Sequence, residues 1–278
     1  MKKYAFLALI LFLIALTAPA LQTAPVQVSV VPENAKWFIH LDVQKLAKTE
    51  LKKAWLDKSL SDFKKEIAEI ERRGQIDFFK DIAHVTVIGM GKDEAVVSFS
   101  GKWKKDHLVS LLKENENPRE MRYGEYLIYN WGNEFGVFVN NKLVLISGSE
   151  SSIKSVLDTV SGKMKNISAF PALAGQLKSL APENFLTAVS VKLNEMINSN
   201  DFPSAVLKNS KGAFFSVAEV GDKLQMALSL ETDSYETAQN LSDVFKGLKS
   251  LLAMQNKVDA DWNLVKSLKM NVQDSLFT

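Results

Sequence analysis

A short segment of this sequence occurs twice, and each copy leads into a run of alternating apolar residues. Pro32-Glu33-Asn34 returns as Pro182-Glu183-Asn184, 150 residues further along the chain. The apolar positions that follow the two tripeptides correspond one to one: Ile39, Leu41 and Val43 in the first copy, and Val189, Val191 and Leu193 in the second. Such alternation is typical of a half-buried strand. The sequence therefore predicts two copies of one plan, each opening with a strand.

Each copy continues with a hairpin and then a helix. In the first, the turn 91–94 separates strands at 84–90 and 95–100, and a helix follows at 106–113. In the second, the turn 221–223 separates strands at 214–220 and 224–230, and a helix follows at 234–254. Glycine within a short polar turn between two alternating runs is a hairpin signal. A long helix over 44–73 is expected after the first strand, because apolar residues recur there at spacings of three and four.

These elements predict an α+β fold of two pseudo-repeated split β-α-β (ferredoxin-like) units, with mainly antiparallel sheets and helices on one face. Three more strands, at 121–131, 134–139 and 142–147, elaborate the first copy. We expect a first repeat over 28–160, a linker over 161–182 and a second repeat over 183–278.

The N-terminus has the three parts of a secretory signal peptide. Lys2 and Lys3 precede an apolar run at 4–16, and Ala18-Pro19-Ala20 is a small-residue cleavage site. The run is short for a spanning helix, which needs about 20 apolar residues. We therefore expect residues 1–20 to contact the membrane transiently and to be cleaved after Ala20, with a retained anchor as the alternative. The protein is then periplasmic or extracellular.

Charge and cysteine content exclude several classes of function. The formal net charge is +2, and Lys2 and Lys3 account for it, so the mature chain is close to neutral. A nucleic-acid partner is not expected, because phosphate binding requires a basic field. The chain has no cysteine, which excludes disulfides, thiolate metal sites and cysteine nucleophiles.

His40 and Asp42 are the weak candidates for a metal-binding or catalytic pair. They lie two residues apart on the first predicted strand, so both side chains point to one face. A His-x-Asp pair can hold a metal ion or orient a base. The alternative is a plain surface pair, on the face opposite Ile39 and Leu41. We expect no cofactor, because the sequence has no cofactor motif.

Tyr123, Tyr129 and Trp131 are the weak candidates for ligand binding. With Leu127 they alternate onto one face of a predicted strand at 121–131. Such a stripe can line a groove for an apolar ligand or a sugar, or it can pack beneath a helix. A lysine-rich segment at 44–65, with seven lysines against three acids, can contact anionic lipid or form a solvated helix face.

Beyond single residues, the layout of the chain resembles a known group. The Pro-Glu-Asn turns, the segment Phe99-Ser100-Gly101-Lys102-Trp103 and the run 142–149 into 153–158 are similar to a loose group of uncharacterised exported bacterial proteins. The resemblance implies an exported protein with two α+β repeats, and it carries over no catalytic residue.

The leading hypothesis is a non-catalytic binding or interaction module of the cell envelope, with an envelope protein or an apolar ligand as the possible partner. The first alternative is a carrier of lipid or another apolar ligand, based on the aromatic stripe and the lysine-rich segment. The second is a hydrolase acting on envelope polymers, which would use His40 and Asp42 or a pair of acids.

Overall fold

A computed structural model of the protein describes residues 28–52, 61–91, 94–193, 208–221, 223–254 and 269–278. In this part of the chain the fold is α+β with a large antiparallel sheet, as the sequence predicts. The predicted signal segment and the central part of the lysine-rich segment, residues 53–60, lie outside the described residues. Within the described ranges, no helix is both long and apolar enough to cross a membrane.

The strands are β1 (Trp37–Asp42), β2 (Ile82–Gly91), β3 (Glu94–Gly101), β4 (Arg119–Tyr123), β5 (Tyr126–Trp131), β6 (Glu134–Asn140), β7 (Leu143–Ser147), β8 (Asn184–Ser190), β9 (Ser210–Val220), β10 (Lys223–Thr232), β11 (Val272–Gln273) and β12 (Leu276–Phe277). The helices are α1 (Val43–Leu46), α2 (Ser61–Gly74), α3 (Phe78–Asp81), α4 (Lys105–Glu116), α5 (Glu150–Val160), α6 (Pro171–Lys178) and α7 (Tyr235–Met254). Short 3-10 turns occupy Val28–Val30 and Ile167–Ala169.

The chain divides into two compact units. The first holds the described residues up to Ala188 together with Ser216–Met226, and the second holds Val189–Phe215 with Ala227–Thr278. In the first unit β8 lies beside β1, and the strands continue in the order β1-β2-β3-β7-β6-β5-β4. Every pair from β1 to β4 is antiparallel. In the second unit β12 pairs with both β10 and β11.

The pairing of β1 with β2 differs from the predicted split β-α-β unit, in which these two strands would be parallel with another strand between them. Asp42 at the end of β1 lies opposite His84 near the start of β2, so the two strands are antiparallel neighbours. The connection between them therefore leaves β1 and enters β2 at the same end of the sheet.

Helices cover both faces of the first unit's sheet, so the prediction of helices on one face is wrong. On one face Tyr123 of β4 donates a hydrogen bond to Asp158 of α5. On the other face Lys113 of α4 lies 5.9 Å from the centre of the Tyr129 ring. The reason is that β2 is buried on both sides, with every residue from Val85 to Gly89 covered, and a strand of this kind has to be covered twice.

The long helix predicted over 44–73 is interrupted. Helix α1 ends at Leu46, and residues 47–49 are not helical. The Thr49 hydroxyl donates to the Leu46 carbonyl at 2.7 Å and accepts from the Lys52 backbone N–H at 3.1 Å. Thr49 thus caps the helical residues 50–52 at their start, as threonine commonly does. The capping side chain ends one helix and begins the next.

The second unit has its own core. Leu230, Ala238, Leu241 and Phe277 are buried together there. Phe245 of α7 stacks on Phe277, with ring centres 5.1 Å apart. Helix α7 therefore packs onto the short strand β12, and this contact fixes the C-terminal end of the chain.

Candidate functional site

A buried polar cluster occupies the junction of β1, β2 and α1. We call it the His40 cluster, and it consists of His40, Asp42, Lys45, His84 and Thr86. In the register of β1 with β2, His40 lies opposite Thr86 and Asp42 opposite His84. Directly opposed residues project from the same face of a sheet. The strand pairing therefore assembles the cluster, and α1 adds Lys45.

His40 and Asp42 are buried, with 3% and 6% of their surfaces exposed, so the expectation of a surface pair is wrong. His40 Nδ1 lies 2.9 Å from the Thr86 hydroxyl oxygen. The His40 and His84 rings stack, with their centres 5.2 Å apart. The sequence suggested one covered face because the apolar residues of β1 fall on alternate positions. In the structure, the polar positions are covered as well.

Asp42 and Lys45 bind each other, and Lys45 also binds the second Pro-Glu-Asn turn. Asp42 Oδ1 accepts from the Lys45 backbone N–H at 2.9 Å, which caps α1. Lys45 Nζ lies 3.5 Å from Asp42 Oδ2 and donates to the Asn184 carbonyl at 3.0 Å. Lys45 belonged to the predicted lysine-rich helix face, yet only 3% of it is exposed. Its ammonium group is therefore a structural cross-link and cannot serve as a contact to lipid.

The electrostatics of the His40 cluster keep its histidines neutral. Burial, with smaller effects from His84 and Lys45, lowers the pKa of His40 to about 3. Burial also lowers the pKa of His84, although the Asp42 carboxylate opposes that shift. Burial lowers the pKa of Lys45 too, and Asp42 opposes the shift. A neutral imidazole is the form that binds metal ions. Among the described residues, however, no group of three or more His, Asp or Glu side chains is arranged to hold one.

The aromatic candidates do not form one stripe. A turn at Gly124 and Glu125 separates β4 from β5, so Tyr123 pairs with Tyr126 and lies on the face opposite Tyr129 and Trp131. The sequence pattern predicts one strand over 121–131. Because the chain turns back at residues 124–125, residues of the same parity before and after the turn lie on opposite faces of the sheet. Because the side-chain period of a strand is two, a two-residue turn is enough to separate residues that seemed to share a face.

Each candidate aromatic has a packing partner. The Tyr123 hydroxyl donates to Asp158 Oδ2 at 2.9 Å, and Trp131 Nε1 donates to Glu134 Oε2 at 3.0 Å. Tyr129 is 6% exposed and meets Phe138 edge to face, with ring centres 6.4 Å apart. The Trp131 ring covers Gly136, where a Cβ atom would lie only 2.5 Å from the ring. Of these contacts, that of Tyr123 with Asp158 is to a helix, whereas those of Trp131 with Glu134 and Gly136 are to β6.

An open groove with a volume of about 780 Å³ lies at one end of the first unit's sheet. We call it the strand-end groove. Its walls come from α1, from the segments where α3 meets β2 and β3 ends, and from the turn between β6 and β7. The lining residues are Gln44, Asp81, Ala83, Ser100, Gly101, Lys102, Asn140, Asn141, Lys142 and Leu143.

Antiparallel pairing explains how these distant segments meet. Ser100 lies opposite Leu143, and Gly101 opposite Ile82. The Gly101 N–H donates to the Lys142 carbonyl at 2.9 Å, and the Lys102 N–H donates to the Asp81 carbonyl at 2.7 Å. The sequence indicated Asn140-Asn141 only as a tight turn. No local pattern reveals that this turn lies beside Lys102, because the pairing of β3 with β7 joins residues 43 to 51 positions apart in the sequence.

A further titratable group without a sequence signal is Glu219, on the part of β9 that belongs to the first unit. It is 3% exposed, and its Oε2 atom is buried without a hydrogen-bond partner among the described residues. Burial, and then the nearby Glu50 carboxylate, raises the pKa of Glu219 to about 7. An alternating strand pattern does not show which acidic residue is buried. The burial of Glu219 is therefore visible only in the tertiary structure.

Comparisons with known proteins bear on the fold. No protein-family model matches the sequence, and neither does any curated protein. Among solved structures, crystal form III of TP0453 is similar, with a TM-score of 0.52 and 9% identity over 92% of this chain and 91% of that chain. Crystal form IV of TP0453 gives a TM-score of 0.53 and 10% identity over 92% and 90% of the two chains. At this identity the similarity concerns the fold alone.

Proposed function

We propose that this is an exported, non-catalytic binding module of the cell envelope, and that its ligand site is the strand-end groove. The observation that carries the proposal is the groove itself, an open volume of about 780 Å³ on the larger unit. Ligand sites are typically concavities of 300–1,000 Å³ with a few convergent polar groups. By contrast, the candidate pair of the hydrolase alternative, His40 and Asp42, is buried and hydrogen-bonded.

The proposal is tested by native mass spectrometry of residues 21–278, purified from the envelope of an exporting host. The expected result is a reproducible additional mass that leaves when the protein is denatured. A bare protein mass would instead favour a partner protein over a small ligand. Turnover of an envelope-derived substrate by the purified protein would contradict the non-catalytic role.

Export itself has a separate test. The N-terminal sequence of the protein recovered from the host is expected to begin at Leu21, because cleavage follows Ala20 in the predicted signal. A mature protein that still carries Lys2 and Lys3 would contradict cleavage and would support a retained anchor. Recovery of the protein only from the cytoplasm would overturn export.

A carrier of lipid or another apolar ligand is the second candidate. A smaller cavity of about 310 Å³ is its candidate site, lined by Tyr126, Leu127, Tyr129, Phe138, Val139 and Val160 together with Lys105, Glu125 and Asn140. The surface that these residues expose to the cavity is more polar than apolar, so the ligand that fits has a polar group as well as an apolar part. The same mass spectrum separates the candidates. A bound mass that extracts into organic solvent supports the carrier, whereas a water-soluble ligand supports the strand-end groove.

We also infer that the two halves are repeats of one plan. The order of strand, hairpin and helix occurs as β1, β2–β3 and α4, and again as β8, β9–β10 and α7. The first Pro-Glu-Asn tripeptide precedes β1, and β8 begins at Asn184 of the second. The support is the order of elements, since the β1–β2 pairing is not that of a ferredoxin-like unit. Superposition of an experimental structure's two halves, with these strands in equivalent places, is the expected result; unrelated strand paths would contradict it.

A further inference from the structure

The exposed side chains of the strand-end groove favour a ligand with many hydroxyl groups. Three carboxamides, those of Gln44, Asn140 and Asn141, line it and are exposed. A carboxamide offers both donors and an acceptor, as a sugar hydroxyl does. Asn140 Oδ1 already accepts from the Lys142 N–H at 2.8 Å. Asn140 still presents both NH2 donors and the second lone pair of its Oδ1 atom.

Among the residues that line the groove, basic side chains outnumber acidic ones. Lys102 and Lys142 line it, and both are exposed, whereas Asp81 is its single lining acid. Asp81 Oδ2 accepts from the Asp77 backbone N–H at 2.7 Å, so this carboxylate is engaged within its own helix turn. Lys104 lies two residues beyond Lys102 and is also exposed. An anionic group in the groove would gain charge-assisted hydrogen bonds.

The backbone that carries the two lysines is held on both sides. The Lys102 N–H is bonded to the Asp81 carbonyl, and the Lys142 carbonyl accepts from Gly101, at 2.7 and 2.9 Å. Lys102 and Lys142 are therefore fixed at neighbouring places along one rim. Such preorganised backbone lowers the entropic cost of binding.

From these features we propose that the strand-end groove binds an anionic saccharide, a sugar chain or sugar unit bearing carboxylate or phosphate groups. Lys102 and Lys142 bind the anionic groups, and the three carboxamides bind the hydroxyls. This inference rests on the proposed function and names the ligand class of the same groove. Residues of the His40 cluster take no part in it.

The test is isothermal titration of residues 21–278 with four probes: trigalacturonate, glucose 6-phosphate, neutral maltotriose and inorganic phosphate. We expect at least one anionic sugar to bind more tightly than both maltotriose and phosphate. The variant K102A/K142A is expected to weaken that binding about tenfold or more, since charge-assisted contacts dominate it. Binding should also weaken from 50 to 500 mM NaCl, as screening requires.

The matched control is K178A/K223A, which removes the same charge from two exposed lysines outside the groove. It is expected to bind like the parent, and thermal unfolding of each variant checks that it is folded. A second variant, N141A, should weaken the binding of anionic sugars without changing that of phosphate. This variant reports on the hydroxyl contacts while every charge is kept.

Several results would overturn the inference. They are a lack of binding by both anionic sugars, equal binding of maltotriose, phosphate binding as tight as that of the sugars, or no loss in K102A/K142A relative to its control. These outcomes are distinct from failure of the proposed function. If native mass spectrometry finds a bound ligand that K102A/K142A also retains, that result supports the binding role and contradicts the anionic-saccharide site.

Discussion

At the scale of single residues, burial rather than residue type decides what the polar groups of this protein do. His40 was a candidate ligand because histidine commonly binds metals. In the structure, its ring is covered, stacked on His84 and paired with Thr86. Glu219 had no sequence signal, yet its covered carboxylate has a strongly altered pKa. Both groups make the stability of the fold depend on pH, in opposite directions.

His40 is expected to destabilise the protein in acid. Its pKa is about 3 when folded and about 6.5 when unfolded. Its contribution is therefore complete above pH 6.5 and is lost as the pH falls from 6.5 to 3, at a slope of at most ~1.4 kcal/mol per pH unit. H40Q should be less stable than the parent at pH 7, and this difference should shrink towards pH 4. Urea unfolding at each pH measures it; a constant difference would contradict the buried neutral histidine.

Glu219 is expected to destabilise the protein towards neutral and basic pH. Its pKa rises from 4.5 to about 7, so its contribution is complete below pH 4.5 and is lost as the pH rises through 7. E219Q should match the parent near pH 4.5 and be more stable at pH 8, by about 1–3 kcal/mol, because the buried Oε2 atom of Glu219 has no hydrogen-bond partner among the described residues. The control E33Q alters an exposed glutamate and should show no such trend. Equal stability of E219Q and the parent at pH 8 would refute the assignment.

At the scale of elements, the same local motif has different energetic roles in two helices. Asp42 caps α1 and Asp77 caps α3, and in each case a lysine three residues later donates its backbone N–H and forms an ion pair. The first pair is buried, and the second is largely exposed. Removing one partner of a buried pair leaves an uncompensated charge, whereas an exposed pair contributes little.

The two lysines therefore form a matched test. K45M should lower the free energy of unfolding by about 3–5 kcal/mol, because Asp42 then stays buried without its partner. K80M should lower it far less, because solvent screens the exposed ion pair of Lys80 with Asp77. The double variant D42N/K45M should recover part of the loss, since it removes the isolated charge. Equal effects of K45M and K80M in chemical denaturation would show that the buried pair has no special role.

At the scale of the whole molecule, the sheet of the first unit is stabilised by pairing between distant segments. Strand β3 lies between β2 and β7, and its pairing with β7 joins residues about fifty positions apart. The pairing places both strand ends at the groove. Strands β11 and β12, by contrast, have two residues each. Long strands with covered backbones open only when much of the structure unfolds.

Hydrogen exchange should reflect this difference. Amides of β2, β3 and β7 are expected to exchange at least about a hundredfold more slowly than those of β11 and β12, because short strands lose their hydrogen bonds by local opening. Mass spectrometry of peptic peptides measures both sets in one experiment. Similar rates in the two sets would contradict the expected hierarchy of stability.

Sequence patterns alone predict the α+β class, the strands near the two Pro-Glu-Asn tripeptides, both hairpins and the helices that follow them. These features depend on local alternation, turn residues and caps. Three features are seen only in the tertiary structure. Helices cover both faces of the first unit's sheet, a turn separates Tyr123 from Tyr129 and Trp131, and His40 and Asp42 are buried. The tertiary structure also places Lys102 beside the Asn140-Asn141 turn. The physical reason is that burial and contact depend on strand register and on which elements cover which face, and distant parts of the chain set both.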